Sequence, residues 1–350
     1  MRSSSRPVKY APLLALVAIL ALALAACGSG SGGNAANTAS GGASGSNAEA
    51  SGSAAAAGSP EQTKDLTVRI GYQKYGTINI LKADGALDKK LAEQGIKIEW
   101  TEFPGGPQLL EALNVGSIDI GHTGEAPPVF AQAAGAPLVY LAHEPASPQS
   151  EGILVPKDSA IQSVADLKGK KVALNKGSNV HYLLVKLLEK AGVDYKDIET
   201  VFLPPADARA AFESGNVDAW VIWDPFLAAA QTATGGRLLA DGTGVVSNYE
   251  FYLAARPFAE KYPDVVETLL QEANTIDEWT KSNPKAVAEL LSPQLGIDVP
   301  SLELAAERRE YGVQPIDRSV VDAQQQIADT FRELELIPKK IDINEAIIKK

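Results

Sequence analysis

From Leu66 onward the chain alternates short apolar strands with amphipathic helices, and that alternation restricts its fold more than any other feature. In the first series Leu66–Gly71 reads as a buried strand, 77–93 as a helix closing at Gly95, and Ile96–Phe103 as the next strand. Gly106–Val115 is helical, Ile118–Gly121 a strand, Ala126–Ala134 helical and Pro137–His143 extended. A second series starts near Ile161: strands Lys171–Leu174, Ile198–Leu203, Val217–Trp223 and Arg237–Ala240 are separated by helices Ser178–Ala191, Pro205–Ser214 and Pro225–Thr234. In Ser178–Ala191 the residues Val180, Leu183, Leu184, Leu187, Leu188 and Ala191 keep the 3.6-residue period of a one-faced helix. Strands alternating with helices predict an α/β fold with mainly parallel sheets, right-handed crossovers and flanking helices.

The last third changes character. Tyr249–Ala255 is one more strand, and helices follow over about 257–282, 284–291, 300–310 and 317–335. The roughly 285 residues from Leu66 to the end exceed one typical core and suit two lobes. Glu151–Val155 and Tyr249–Ala255 are extended where one series gives way to the next, so they are expected to join the lobes. Residues 64–152 would begin lobe one, 153–250 form lobe two, and 251–350 complete lobe one with a helical tail.

Everything before residue 64 has another logic. Arg2, Arg6 and Lys9 precede the apolar run Leu13–Ala26, which is too short for a comfortable membrane span and has the anatomy of a signal peptide over 1–26. Leu24-Ala25-Ala26-Cys27 reads as a lipobox, with cleavage before Cys27 and lipidation of its thiol, the chain's one cysteine. Residues 28 to 63 are nearly all Gly, Ser, Ala, Asn and Thr, too polar to offset chain entropy. Such a tether spans roughly 30–35 Å end to end. Its Gly28-x-Gly30-x-x-Gly33 pattern lacks the flanking strand and helix of a dinucleotide site. The expected place is outside the cytoplasm, anchored to the cell membrane by lipid.

A net charge of −11, with no Lys/Arg stripe among aromatics, argues against nucleic acid as a partner. It leaves an anionic ligand open, because anion sites are built from local dipoles. In open α/β sheets ligands bind beyond the carboxyl ends of the strands. The turns there contain Tyr72-Gln73-Lys74, Pro104 to Gln108, His122 to Glu125, Lys176 to Asn179, Pro205-Ala206-Asp207 and Trp223-Asp224-Pro225. The candidate ligand-binding residues are therefore Gln73, Gly106, Gln108, Thr123, Gly124, Glu125, Gly177, Ser178, Asn179, Asp207, Trp223 and Asp224. Several of these turns open helices, whose free N–H groups make an anion site without lysine or arginine. The same residue types are also ordinary turn and cap residues. Trp220 is expected in the core and Trp223 at the cleft.

Catalytic patterns are absent. His122, His143 and His181 have no metal-ligand spacing, and there is no nucleophile elbow, P-loop or zinc-protease motif. His181 falls on the less apolar side of its helix and reads as a surface residue. No cofactor and no metal are expected.

Several of these runs resemble a known family. Gly71-Tyr72-Gln73-Lys74, Glu102-Phe103-Pro104-Gly105-Gly106-Pro107-Gln108, Glu111 to Asp119 and Pro127 to Ala136 are similar to the aliphatic-sulfonate-binding proteins of ABC importers. So are Pro205 to Phe212, Gly215 to Trp220, Ile222-Trp223-Asp224-Pro225, Phe251 to Pro257 and Ile337-Pro338-Lys339-Lys340, and the likeness runs from about 66 to 342. The resemblance implies a two-lobed type II periplasmic-binding-protein fold that hinges on two strands. It implies a monomeric receptor, not an enzyme, which delivers an alkanesulfonate to a membrane permease and its ATPase for sulfur acquisition. Gln73, Gln108, Thr123, Ser178 and Asn179 would hold the sulfonate with neutral donors. The family commonly has a small residue and Asp where this chain has His122 and Glu125, and serines where it has Asn179 and Val180. Glu125 would face an amine or hydroxyl of the ligand, or pair with a lysine. Taurine, nitrate, a sulfate ester or a pyrimidine precursor are the alternative cargoes, and an enzyme such as a lyase the alternative class.

Overall fold

The protein is described by a computed structural model covering residues 65–348. The signal segment, Cys27 and the tether lie outside the described residues. The first βα series supplies β1 (Thr67–Gln73), β2 (Lys97–Phe103), β3 (Ile120–Gly124) and β4 (Leu138–His143). The second supplies β5 (Glu151–Val155), β6 (Lys171–Leu174), β7 (Glu199–Phe202), β8 (Ala219–Trp223) and β9 (Arg237–Asp241). β10 (Glu250–Ala255) then returns to the first sheet.

The two sheets share one plan. Their orders are β2-β1-β3-β10-β4 and β7-β6-β8-β5-β9. In each, four strands run one way and one runs against them: β10 is antiparallel to β3 and β4, and β5 to β8 and β9. The sheets are thus mixed. The antiparallel strand of each sheet is the one that arrives from the other sheet. It enters from the side that the parallel strands point toward, so it runs away from it.

Alternation within the strands feeds a core on both faces of each sheet. Phe251 and Leu253 of β10 pack with the helices Gly106–Asn114, Ala126–Ala133 and Arg318–Glu333, while Tyr252 and Ala254 pack on the opposite face with Thr77–Asp84, Pro263–Ser282 and Pro284–Leu295. In the second sheet Ile153, Val172 and Val221 face the helix Asn179–Lys190, and Leu154, Ala173 and Trp220 face Pro205–Glu213 and Phe226–Thr234. Trp220 is fully buried there.

Three local readings change. The helix expected over 77–93 is two helices, broken at Gly85 with φ +75°, a left-handed conformation that glycine adopts at no steric cost. The long tail helix likewise divides, into Arg256–Lys261 and Pro263–Ser282. Proline at the start of the second removes the N–H that would continue the first. His181 is buried, not on the surface. It packs among Phe130 and Phe331, from helices on the first sheet, and Tyr195 and Phe202, from segments of the second. The helical period describes one partner sheet, whereas here helices packed on the other sheet cover the helix's other side.

Candidate functional site

The carboxyl ends of both sheets' parallel strands meet across one small cavity. Gln73, Lys74, Tyr75, His122, Gly124, Asn179, Trp223, Asp224, Glu250 and Arg309 line it, and its volume of about 20 Å³ leaves room for about one water molecule. The lobes touch around it. A side-chain carbon added to Gly105 would come within 2.6 Å of Asn175 Nδ2 and 3.6 Å of the Trp223 ring, and one on Gly124 within 2.9 Å of Asn179. A side-chain carbon on Gly177, at φ +76°, would come within 3.4 Å of the Phe130 ring.

Helix starts face this region without side-chain caps. Thr77–Asp84 begins at Gly76, Gly106–Asn114 at Gly105, Ala126–Ala133 at Glu125 and Asn179–Lys190 at Ser178, and none has a side chain bonded to its first N–H groups. Among the described α-helices side-chain caps are found at Asp298 and Asp317, whereas Arg256–Lys261, Pro263–Ser282 and Pro284–Leu295 elsewhere in the tail are uncapped too. Uncapped N-termini leave donors and partial positive charge for an anion.

Of the sequence candidates, Gln73, Gly124, Asn179, Trp223 and Asp224 line the cavity. Gln73 Nε2 also donates to the His122 carbonyl at 3.2 Å. Gly106 and Thr123 sit together behind them, so close that a Cβ on Gly106 would lie 1.9 Å from Thr123 Oγ1. Gln108 is half-buried beside Gly105, its Oε1 without a partner. Ser178 is turned inward and donates to the Asn175 carbonyl at 2.7 Å. Asp207 is exposed and outside the cavity, because its helix follows β7, an edge strand of its sheet.

Glu125 departs from its expected surroundings. Among the described residues no lysine pairs with it; Oε2 accepts the Tyr249 amide at 3.0 Å and Oε1 is buried with no hydrogen-bond partner there. Burial pushes its carboxyl up to about 7, against the hydrogen bonds from Tyr249 and Asn248. Glu151, the first residue of β5, is also raised, by burial and by the neighbouring Glu125. Asn179 Nδ2 holds this region together, donating to Glu151 Oε2 at 2.7 Å and Asn248 Oδ1 at 2.8 Å.

The residues that sequence reasoning missed are charged. An anion site of dipoles and neutral donors alone is not what the fold builds, since the Arg309 guanidinium and Lys74 both line the cavity. Arg309 follows the helix Val299–Glu307, and its side chain is 9% exposed. Nη2 donates to Glu144 Oε2 at 2.6 Å, and Nε has no hydrogen-bond partner among the described residues. Glu144 also receives His122 Nε2 at 2.8 Å and the Tyr252 hydroxyl at 3.1 Å. Burial alone would raise its carboxyl, but Arg309 and His122 hold it down at about 2. Asp224, pushed up to about 7 by burial, lies 3.5 Å from Arg308 and accepts the Ala228 amide at 2.9 Å. Glu250 opens β10 opposite Gly124. It stands at the amino end of a strand, whereas the expected place of a ligand in such a sheet is beyond the carboxyl ends. Nothing local in Glu307-Arg308-Arg309 points to a cleft.

Chains of known description share this arrangement. Residues 91–287 match the model of the NMT1/THI5-like family, and a solved structure of the periplasmic aliphatic sulphonate binding protein SsuA from Escherichia coli is 48% identical, covering 81% of this chain and 97% of that one with a TM-score of 0.73. The chain belongs to the NMT1/THI5-like family, in its aliphatic-sulfonate-binding group. The alkanesulfonate-binding protein SsuA from Xanthomonas axonopodis pv. citri, solved bound to MOPS, is 41% identical over 82% of this chain and 99% of its own, with a TM-score of 0.77. The taurine-binding periplasmic protein of Escherichia coli (strain K12) is more distant, 27% identical over 64% of this chain and 69% of its own length. This family membership and the shared two-lobed fold agree with the periplasmic-binding-protein architecture expected of the sequence. Among the described residues no group of three His, Cys, Asp or Glu side chains could hold a metal ion, and no helix is long and apolar enough to cross a membrane.

Proposed function

We propose that this chain is the solute receptor of an ABC importer, which encloses an aliphatic sulfonate between its lobes and presents it to the permease as a source of sulfur. One observation carries the reading: the cavity is lined by a buried guanidinium, Arg309, whose Nε has no partner, with helix starts that carry no caps around it. A sulfonate is a permanent anion with three acceptor oxygens. Arginine's planar fork, the amides of Gln73 and Asn179 and free backbone N–H groups suit it, and it competes for no proton. The names of the relatives favour the same cargo over nitrate or a pyrimidine precursor.

Residues 64–152 and 251–350 are proposed as one lobe and 153–250 as the other, rocking about the two crossings, with ligand favouring the closed arrangement. Cys27 is the proposed lipid anchor and 28–63 the leash that keeps a monomeric receptor near its permease, outside the cytoplasm. Two acyl chains or more suffice for stable anchoring. If Cys27→Ala still incorporates labelled fatty acid and stays with the membrane fraction, the anchor proposal fails.

The cargo is tested by thermal unfolding of the purified protein with C2–C8 alkanesulfonates, nitrate, sulfate and a pyrimidine. A ligand at about 100 times its Kd should add about 2.7 kcal/mol. A shift with nitrate or the pyrimidine and none with any sulfonate would overturn the reading.

A further inference from the structure

Arg308 and Arg309 are neighbours in the chain with different partners. Arg309 lines the cavity. Arg308 reaches the elements of the second sheet instead. Its Nη2 donates to Gln231 Oε1 at 2.7 Å, and its Nη1 lies 3.5 Å from each carboxylate oxygen of Asp224. Gln231 belongs to the helix Phe226–Thr234, which packs on the second sheet, and Asp224 follows β8 of that sheet. Arg308 itself ends the helix Val299–Glu307, whose Leu302, Ala305 and Ala306 belong to the core of the first sheet. One guanidinium thus holds elements of both sheets. Little water surrounds it, its side chain being 14% exposed and that of Asp224 3%. Beside it, the helix Phe226–Thr234 gives the first sheet's core two methyl groups, Ala228 and Ala229. Such apolar contact has no direction of its own, so the polar bonds of Arg308 fix how the two helices meet.

We propose that Arg308 is the latch of closure, a positioning residue that keeps the two proposed lobes together around the ligand by holding Gln231 and Asp224. The proposal rests on the closure described above and not on which anion is enclosed. A planar guanidinium suits the task, because its rigid fork offers separate donors to two acceptors at once. A ligand enclosed between lobes leaves only when they part, so the strength of the latch sets the rate of release. Asp224 gives Arg308 a second effect. That carboxylate lines the cavity and would repel an anion there, and the charge of Arg308 beside it offsets the repulsion. Adjacent arginines then divide the work: Arg309 is left for the anion, and Arg308 is spent on the opposite lobe.

The test is stopped-flow fluorescence and calorimetric titration of the whole protein with butane-1-sulfonate, and with nitrate should that be the anion enclosed. Arg308→Gln should weaken binding about ten-fold, the range of a hydrogen bond to a charged group, with the loss in faster dissociation and association nearly unchanged. Gln231→Met removes the acceptor at similar length and should weaken binding about three-fold in the native background. In the Arg308→Gln background it should change nothing more, because the contact is already gone. Circular dichroism and the melting temperature report that each variant is folded, and Gln231→Met carries the test if Arg308→Gln is not. A native protein that binds its anion while Arg308→Gln releases it at the native rate would overturn the latch and leave the receptor reading standing. Slower association with unchanged dissociation would also overturn it, since Arg308 would then steer the anion instead of closing over it. Effects of the two substitutions that add in full would overturn it as well. A native protein that binds neither anion would overturn the latch together with the sulfonate reading.

Discussion

Arg309 donates from Nη2 to Glu144 Oε2 across 2.6 Å, joining the C-terminal helical tail to the segment that leads from β4 of the first sheet to β5 of the second. The bond spans 165 residues of sequence, and both side chains are withdrawn from water. Arg309→Ala should therefore do two things. Leaving Glu144 buried beside a lost cation should cost about 3–5 kcal/mol of stability, and sulfonate binding should disappear. Arg309→Lys keeps a charge but not the planar fork, and should retain most of the stability while weakening binding about ten-fold or more. Denaturant unfolding and calorimetric titration separate the two effects. Arg309→Ala binding sulfonate as tightly as the native protein would remove Arg309 from the site.

Gly124 faces Asn179 across the cleft, and a methyl group there would stand 2.9 Å from its side chain. Asn179 cannot swing aside freely, being tied to Glu151 and Asn248. Gly124→Ala should thus obstruct closure and weaken ligand binding by about ten-fold or more while the separate lobes stay folded, since a forced contact costs about 1–3 kcal/mol. Small-angle scattering should show a larger radius of gyration with ligand present than the native protein has. Unchanged affinity would mean that the two lobes do not approach at this point.

Glu125 should make stability depend on pH. Its carboxyl titrates at about 7 in the folded chain because burial disfavours the charge, and in the ordinary carboxylate range when unfolded. Between those values the folded chain holds more protons, so this group's effect is a loss of stability as pH rises toward 7, with no effect below the unfolded value. Glu125→Gln keeps an acceptor for the Tyr249 amide and has no charge to bury. Relative to the native protein, the variant should gain about 2–3 kcal/mol between pH 5 and pH 8. The difference between the two proteins is the readout, because Asp224 and Asp277 are also pushed up to about 7. A difference that stays level across this range would refute the assignment.

Trp223 lines the cavity and Trp220 is sealed in the core of the second lobe. Ligand should change the tryptophan fluorescence of the native protein, and Trp223→Phe should abolish that change. Trp220→Phe should preserve it. If the signal persists in Trp223→Phe, ligand does not reach this ring.

Much of this protein is legible in its residues taken locally. The 3.6-residue period of Val180 to Leu188 and the strand runs such as Lys171–Leu174 appear in the structure close to where they read, because both patterns follow from backbone geometry and one apolar face. The turns at the carboxyl ends of β1, β3, β6 and β8 do bring Gln73, Gly124, Asn179 and Trp223 together, because parallel strands point their ends the same way. Asp207 follows the same rule in sequence and fails it in space, since the rule does not say which strand is an edge.

The order of strands and helices, the two βα series, the polar turns between them and the family can all be read from residues close together in the chain. The electrostatics of the cleft arise in folding. Arg309 and Glu144, or Gly124 and Asn179, are far apart along the chain and adjacent after folding. Glu250 comes to the cavity because β10 enters the first sheet against its neighbours, with its amino end where their carboxyl ends lie. Burial and charge pairing belong to such meetings of distant segments. A local pattern therefore specifies where a helix begins, but not which carboxylate keeps its proton or which arginine a ligand finds.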